Sequence, residues 1–367
     1  MPETTTTSKL PSVPEEVTTE WLSSVLKLPI KSSEITKTIL NQTASKVYVT
    51  LTYEDGPAGN DRPEHVCLKG GFNPEMVNME GYKEALRMAY MNEINFFNIV
   101  APRLSNVALV KVWWAAMNTE QGQAISIMED LRPENTFGEP TEAWSVDMVK
   151  QGVVELAGLH ASTWGATTDD ADYSRLQSAY DFVIMSLTEN WDMIVGENRP
   201  PFPESIRDQK RLQAALSKHL KTHNPKFLAV THSDPHCGNT WITSDGKPRF
   251  LDWQTVQLGS VFHDVAYFIL GALPVEERRK HEFEILEHYL EAVARFGGPK
   301  LSIKDEEVVT EYKKNAMSGI GWCLTPFELQ RKERVFAMCE RYSAAMEDHD
   351  MMKIIEALPE PQTNGKS

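Results

Sequence analysis

Residues 231–268 read THSDPHCGNTWITSDGKPRFLDWQTVQLGSVFHDVAYF, and the organisation of the chain follows from this stretch. Asp234 and Asn239 lie in a segment punctuated by Pro235 and Gly238, so they share a loop. Two short strand-like runs follow, Thr240 to Thr243 and Arg249 to Leu251, joined by Ser244-Asp245-Gly246, a hairpin signal. Asp252 ends the second run and can fold back over the loop. Two carboxylates and an amide form an oxygen donor set suited to Mg²⁺, which prefers carboxylate, carbonyl, water and phosphate oxygens. Phosphoryl transfer needs little covalent help; it needs a metal clamp on the phosphates and a carboxylate that accepts the acceptor's proton. Asn239 and Asp252 fit the clamp, and Asp234 fits the base. The plain alternative is a polar turn whose Asx side chains bond their own backbone.

Before this stretch the pattern is that of strands. Lys46 to Tyr53 alternates, with Val47, Val49, Leu51 and Tyr53 on one side. Ile35 to Leu40 and His65 to Lys69 flank it, and Ala108 to Val112 and Ala124 to Met128 surround the loop Asn118 to Gly122. A helix is expected over Pro14 to Leu26, with Ser12 as cap, and another over Tyr82 to Phe97. After Asp130 the period becomes helical: Val146, Val149, Val153, Leu156 and His160 share one face of a helix capped by Ser145. Further helices are expected over Tyr173 to Asn190, Pro203 to His219, Val275 to Phe296, Lys304 to Trp322 and Pro326 to Ile355. The expectation is an α+β chain: a lobe over 14–132 with an antiparallel sheet of about five strands and one helix, and a mainly helical lobe over 133–358. The Thr-rich segment 1–13 and the aperiodic segment 359–367 read as flexible tails.

Composition narrows the function classes. The 367 residues are 41% hydrophobic and 24% charged, which is ordinary globular chemistry. Lys and Arg number 37 against 52 Asp and Glu, a net charge of −15. Such a surface repels phosphate backbones and anionic lipid heads, so neither nucleic acid nor a membrane is an expected partner. No apolar run is long enough to span a bilayer, and Met1 to Val13 carries no apolar stretch of a secretory signal. Cys67, Cys237, Cys323 and Cys339 form no CxxC pair, and read as free thiols in a reducing, cytoplasmic compartment.

His232-Ser233-Asp234-Pro235-His236-Cys237-Gly238-Asn239 resembles the H-x-D-x4-N catalytic loop of the aminoglycoside phosphotransferase and choline kinase group. Leu251-Asp252-Trp253-Gln254 resembles its metal-binding segment, and Gly259 through Asp264 to Phe268 the stretch that follows. The nearest likeness is to the ecdysteroid-kinase-like (CHK) branch. The resemblance runs from Trp21 to Asp350 and is strongest between His232 and Phe268. It implies a protein-kinase-like two-lobe fold, ATP and Mg²⁺ as cofactors, and a small-molecule hydroxyl as acceptor. By the same resemblance Lys69 is the phosphate-binding lysine, Glu93 its helix partner (with Glu84 a rival on that helix), and Glu129 and Leu131 offer main-chain groups to adenine. Asp264 and His232 are expected to hold the shape of the catalytic loop, and His160 to be a core histidine. Trp322, Tyr312 and Arg341 are candidates for the acceptor pocket. Leu40 to Lys46, where the group covers the nucleotide phosphates, has no glycine, and Ser233 stands where glycine is common. The leading reading is an ATP- and Mg²⁺-dependent small-molecule kinase. The alternative is a kinase-like binding module that holds a nucleotide or metabolite without transfer.

Overall fold

The computed structural model describes residues 5–40, 44–54, 56, 62–78, 83–196 and 198–360. Asn41 to Thr43 of the expected phosphate loop, Tyr82 and residues 361–367 therefore lie outside the described residues.

The first region is one antiparallel sheet with a helix on its cleft side. Its strands are β1 (Ile30–Ile39), β2 (Ser45–Tyr53), β3 (His65–Gly70), β4 (Val112–Asn118) and β5 (Gln123–Glu129), in the order β1-β2-β3-β5-β4. Alternation decides the faces. Val47, Val49 and Leu51 of β2, Val66 and Leu68 of β3, and Ile125 and Ile127 of β5 are buried on one side. There they meet Leu22 of helix α1 (Thr19–Leu26), which Thr18 caps by accepting from the Trp21 N–H at 3.2 Å. The opposite set points at the cleft: Tyr48 pairs with Cys67 and Cys67 with Met128, while Lys46 pairs with Lys69 and Lys69 with Ser126. After the single turn α2 (Pro74–Val77), helix α3 (Lys83–Asn95) packs on that side of the sheet.

The second region is mainly helical. It contains α4 (Val146–Ser162), α5 (Ala179–Leu187), α6 (Trp191–Ile194), α7 (Gln209–Lys221), α8 (Val261–Ala272), α9 (Val275–Arg295), α10 (Glu306–Lys314), α11 (Ile320–Leu324), α12 (Lys332–Asp348) and α13 (Met351–Ala357). Short strands β6 (Thr136–Phe137), β8 (Thr240–Ile242) and β9 (Pro248–Phe250) form one small sheet, and β7 (Leu228–Thr231) pairs with β10 (Gln257–Ser260). Every residue of α8 is buried, so this helix forms the axis of the lobe. The expected cap of α4 is present: Ser145 Oγ accepts from the Met148 N–H at 3.2 Å. The whole is the α+β, protein-kinase-like two-lobe fold.

Four expectations need correction. Residues 5–13 are docked, although the Thr run is polar: Thr6 donates its N–H to the Met117 carbonyl at 2.8 Å, Leu10 is 1% exposed, and Gln121 and Gln123 bond the backbone of Leu10 and Pro11. The edge of β4 offered unpaired backbone, and Leu10 supplied the apolar anchor. The helix expected from Pro14 is a 3-10 turn over Pro14–Glu16, then α1; Ser12 gives its N–H to Glu16 instead of capping. The strand expected at Ala108 begins only at Val112, because the Ala108 N–H is taken by Glu155 of α4 at 3.0 Å. The last two long helices are each broken, the first where Gly319 lies against the Tyr342 ring and the second at Asp350, which has φ of +50°.

Candidate active site

A cleft of about 390 Å³ separates the two regions, a size that suits a small-molecule or cofactor site. Its floor is Tyr48, Cys67 and Met128 from the sheet and Leu251 from below. Lys37, Lys46, Lys69, Arg132 and Arg334 line it beside Glu93, Glu129, Asp130 and Asp252, so cations and carboxylates are nearly balanced there in a chain of net charge −15.

Lys69 stands at its centre. Its Nζ lies 2.7 Å from Glu93 Oε1 and 2.8 Å from Asp252 Oδ1, so one ammonium joins β3, α3 and the segment after β9. Lys69 and Glu93 are each 5% exposed. Burial alone would lower the Lys69 pKa, but the two carboxylates outweigh it and hold the ammonium above its ordinary value. Burial pushes Glu93 up, against the pull of Lys69. Burial also opposes ionisation of Asp252, yet the charge and hydrogen bond of Lys69 hold that carboxyl below its usual range. Glu84, the rival, sits on another face of α3 with its nearest cation, Arg87, 3.9 Å away.

Phe96 follows α3 and stacks on Trp253 with ring centroids 3.9 Å apart and an interplanar angle of 7°. Both rings are essentially inaccessible to solvent, at 0% and 1% exposure. This stack fixes the height of α3, and so of Glu93, over Asp252. Asp252 adopts φ of +66° and ψ of 70°, a left-handed conformation that is costly for a residue with a Cβ and that turns its carboxylate into the cleft.

The loop over His232 to Asn239 lies beneath. Asn239 Nδ2 donates to Asp234 O at 3.0 Å and to Asp234 Oδ2 at 3.1 Å, which leaves the Asn239 amide oxygen for the cleft. Tyr267 donates its hydroxyl to Asp234 Oδ1 at 2.7 Å. Burial raises the Asp234 carboxyl to about 6, partly opposed by the Tyr267 hydrogen bond. The loop itself is clamped by Asp264, whose Oδ2 accepts from the His232 N–H at 2.6 Å and whose Oδ1 accepts from the Ser233 N–H at 2.8 Å. His160 in turn bonds Asp264 Oδ2 at 3.1 Å and the Tyr289 hydroxyl at 2.8 Å, as a satisfied core histidine. His232 bridges to the Leu251 carbonyl at 2.8 Å, tying the loop to the strand that carries Asp252. Ser233 has φ of +68°, a left-handed conformation that glycine adopts most readily; its hydroxyl bonds Thr231 at 2.8 Å.

Glu129 and Leu131 lie where β5 leaves the sheet, on the cleft wall. The Glu129 N–H is bonded to the Lys111 carbonyl at 2.9 Å, and Asn135 bonds the Leu131 carbonyl. Arg132 was not foreseen: it pairs with Asp130 and lies over the Tyr48 ring at 3.5 Å. His236 and His263, which had no expected role, also serve the loop: His236 Nδ1 accepts from the Gly238 N–H at 3.0 Å, and His263 bonds the Ser233 carbonyl at 3.0 Å. Burial pushes the His236 ring down to about 4, so it is neutral. Of the acceptor-pocket candidates, Trp322 lies edge-on to His236 at 5.1 Å. Tyr312 is fully buried beside Phe283 and His349, and Arg341 is spent on the carbonyls of Pro140 and Gly271, so both belong to the interior.

Among the described residues no three His, Cys, Asp or Glu side chains converge as a closed metal cage. Asn239 and Asp252 instead present oxygen donors in an open cleft, which fits Mg²⁺, an ion that keeps waters and substrate phosphates in its shell.

This fold and cleft define a class, the protein-kinase-like two-lobe proteins that include choline kinases and aminoglycoside phosphotransferases. The sequence profile of the ecdysteroid kinase-like family matches residues 43–296, and the chain belongs to that family. Comparison with curated proteins gives no match. Among solved structures, a choline kinase from Cryptosporidium parvum Iowa II is similar at 14% identity and a TM-score of 0.52, covering 95% of each chain. The GDP complex of an aminoglycoside 2'-phosphotransferase-IIIa is similar at 10% identity and a TM-score of 0.50, covering 90% of this chain and 96% of that one.

Removing the central ammonium leaves Glu93 and Asp252 facing each other. Lys69→Met is therefore expected to destabilise the fold by roughly 3–5 kcal/mol, the usual cost of breaking a buried pair. Adding Glu93→Gln should restore a large part of that loss. Urea titration of the two single variants and the double variant checks this; simple additivity would mean the two groups do not share an interaction.

Proposed function

We propose that the chain is an ATP- and Mg²⁺-dependent kinase that transfers the γ-phosphoryl group to a hydroxyl of a small metabolite. The observation that carries this reading is the convergence on one cleft of Lys69, Glu93, Asp252 and Asn239, with Asp234 bonded to Asn239 beneath. The solved structures of similar fold include enzymes named for choline and aminoglycoside acceptors, small molecules that bear hydroxyls.

In this reading the adenine lies against Tyr48, Cys67 and Met128, with main-chain contacts from Glu129 and Leu131. Because Asn135 bonds the Leu131 carbonyl, the contact from Leu131 is its N–H. Lys69 neutralises and orients phosphate oxygens, and Glu93 keeps its ammonium aimed. Asn239 and Asp252 would hold Mg²⁺, which supplies electrostatic stabilisation of the phosphates when bound. Asp234 accepts the acceptor's proton; its raised pKa brings its basicity closer to working pH than that of an ordinary aspartate. The four cysteines are free and buried, in keeping with a cytoplasmic location.

The base and the clamp separate experimentally. Asp234→Asn keeps shape and loses charge, so transfer should fall by on the order of 10² to 10⁴ while Mg·ATP affinity stays near wild type. Asp252→Asn removes a ligand charge and should weaken Mg·ATP binding as well. Steady-state transfer and calorimetric ATP titration decide. Near wild-type transfer by Asp234→Asn would remove Asp234 as the base, whereas ATP binding by wild type with no transfer to any acceptor would favour the module that holds nucleotide without transfer.

The base also fixes the pH profile. The ionised carboxylate is the active form, and its pKa is raised to about 6, so kcat/KM should fall as pH drops through about 6. An ordinary aspartate would keep the rate level down to its own lower pKa. A flat profile between pH 5 and 7, inside that titration range, would contradict the assignment.

A further inference from the structure

We propose that Tyr267 is the positioning residue of the transfer reaction, holding one oxygen of Asp234 so that the other faces the acceptor hydroxyl. This rests on the kinase reading above and adds to it a residue in no motif role.

Helix α8 begins one residue after β10, and three side chains of its first two turns grip the catalytic loop. His263 takes the Ser233 carbonyl, Asp264 takes the N–H groups of His232 and Ser233, and Tyr267 takes the side chain of Asp234. Asp264 and Tyr267 are three residues apart and so lie on one face of the helix. The first two bonds shape the backbone. Only the third reaches the reacting carboxylate.

The geometry is directional. The Tyr267 hydroxyl donates to Oδ1 at 2.7 Å, and Asn239 Nδ2 donates to Oδ2 at 3.1 Å. Tyr267 is 3% exposed, so that Oδ1 contact lies inside the lobe, while the Asp234 side chain as a whole is 30% exposed. Oδ2 has only the Asn239 amide within hydrogen-bond distance and faces the neutral His236 ring, whose Nε2 lies 3.6 Å away, so it is the oxygen left to take the acceptor's proton. Tyr267 is itself held: its carbonyl accepts from the Tyr342 hydroxyl at 2.7 Å, and its ring packs against Tyr342 and Tyr180. The ring has no freedom to swing away, and burial and the neighbouring Asp234 keep the phenol protonated as a donor. In the transfer step the acceptor O–H bond breaks, its proton passes to Asp234 Oδ2, and the acceptor oxygen bonds to the phosphorus as the bridging bond to the leaving diphosphate breaks. Tyr267 gives up no proton. It stabilises the ionised carboxylate before the step and fixes which oxygen takes the proton.

The test is Tyr267→Phe, which removes one hydroxyl and keeps the ring. The Asp234 carboxyl is followed by carbon-13 NMR of protein labelled at aspartate, its signal assigned by its loss in Asp234→Asn. Loss of the donor should move the Asp234 titration to higher pH than in wild type. The acid limb of kcat/KM should move with it, and kcat should fall by about 10-fold, the scale of one hydrogen bond to a charged group, with KM for ATP unchanged. Ile269→Val, which trims a fully buried side chain of the same helix and leaves the Tyr267 hydroxyl and its Tyr342 contact in place, serves as the structural control; it should lower the melting temperature and leave the Asp234 titration in place. An unmoved Asp234 titration in Tyr267→Phe, or an equal movement in Ile269→Val, overturns the proposal. A moved titration in a protein that transfers phosphate to no acceptor contradicts the kinase reading and leaves the Tyr267 bond established.

Discussion

Everything in the cleft depends on one ammonium group. Lys69 is bonded to partners 24 and 183 residues away in sequence, one on α3 and one after β9. A lysine with 5% exposure is costly unless its charge is met, and each carboxylate is costly without it. The three groups therefore require each other, and the requirement spans the sheet, its helix and the helical region. The Phe96–Trp253 stack lets this arrangement persist, since it sets the separation of α3 from the Asp252 segment by apolar packing. Charge and packing thus specify one relative placement of the lobes.

The loop over His232 to Asn239 shows a second constraint of the same kind. Ser233 and Asp252 both occupy left-handed backbone conformations without being glycine. Such residues persist where the surroundings over-determine them. Here the surroundings are the Asp264 clamp on one side and the His232–Leu251 bond on the other. The strain places Asp234, Asn239 and Asp252 on one side of the loop, which a relaxed turn would not do.

Much of this was legible in the sequence because its signals are local. Alternation in Val47, Val49 and Leu51 gave β2 its buried face, and Asp234, Asn239 and Asp252 lie within one hairpin of each other. Asp264 and His160 could be assigned structural parts, which their bonds bear out. The misses are non-local. The Ala108 N–H is claimed by Glu155, 47 residues on, so its β-branched neighbourhood does not extend the strand. The segment around Leu10 is held by Gln121 and Gln123, more than 100 residues away, against which its Thr-rich composition says nothing. Tyr267 stood in the stretch that resembled the kinase group, yet its role depends on which face of α8 meets the loop. Arg341 and Tyr312 looked like pocket residues because sequence gives residue type and helical phase but not which side of a helix is core.

The proposed binding of a metal-bound polyphosphate at Lys69, Asn239 and Asp252 is tested most directly by the thermal stability of the wild-type protein with saturating ATP, with Mg²⁺ or with EDTA. A ligand that binds the native state stabilises it by RT ln(1 + [L]/Kd), so the melting temperature reports affinity without requiring the acceptor to be known. A large rise is predicted with Mg²⁺ and a much smaller one with EDTA, the difference disappearing in Asp252→Asn. Equal shifts with and without the metal, or no shift in either, would contradict that binding.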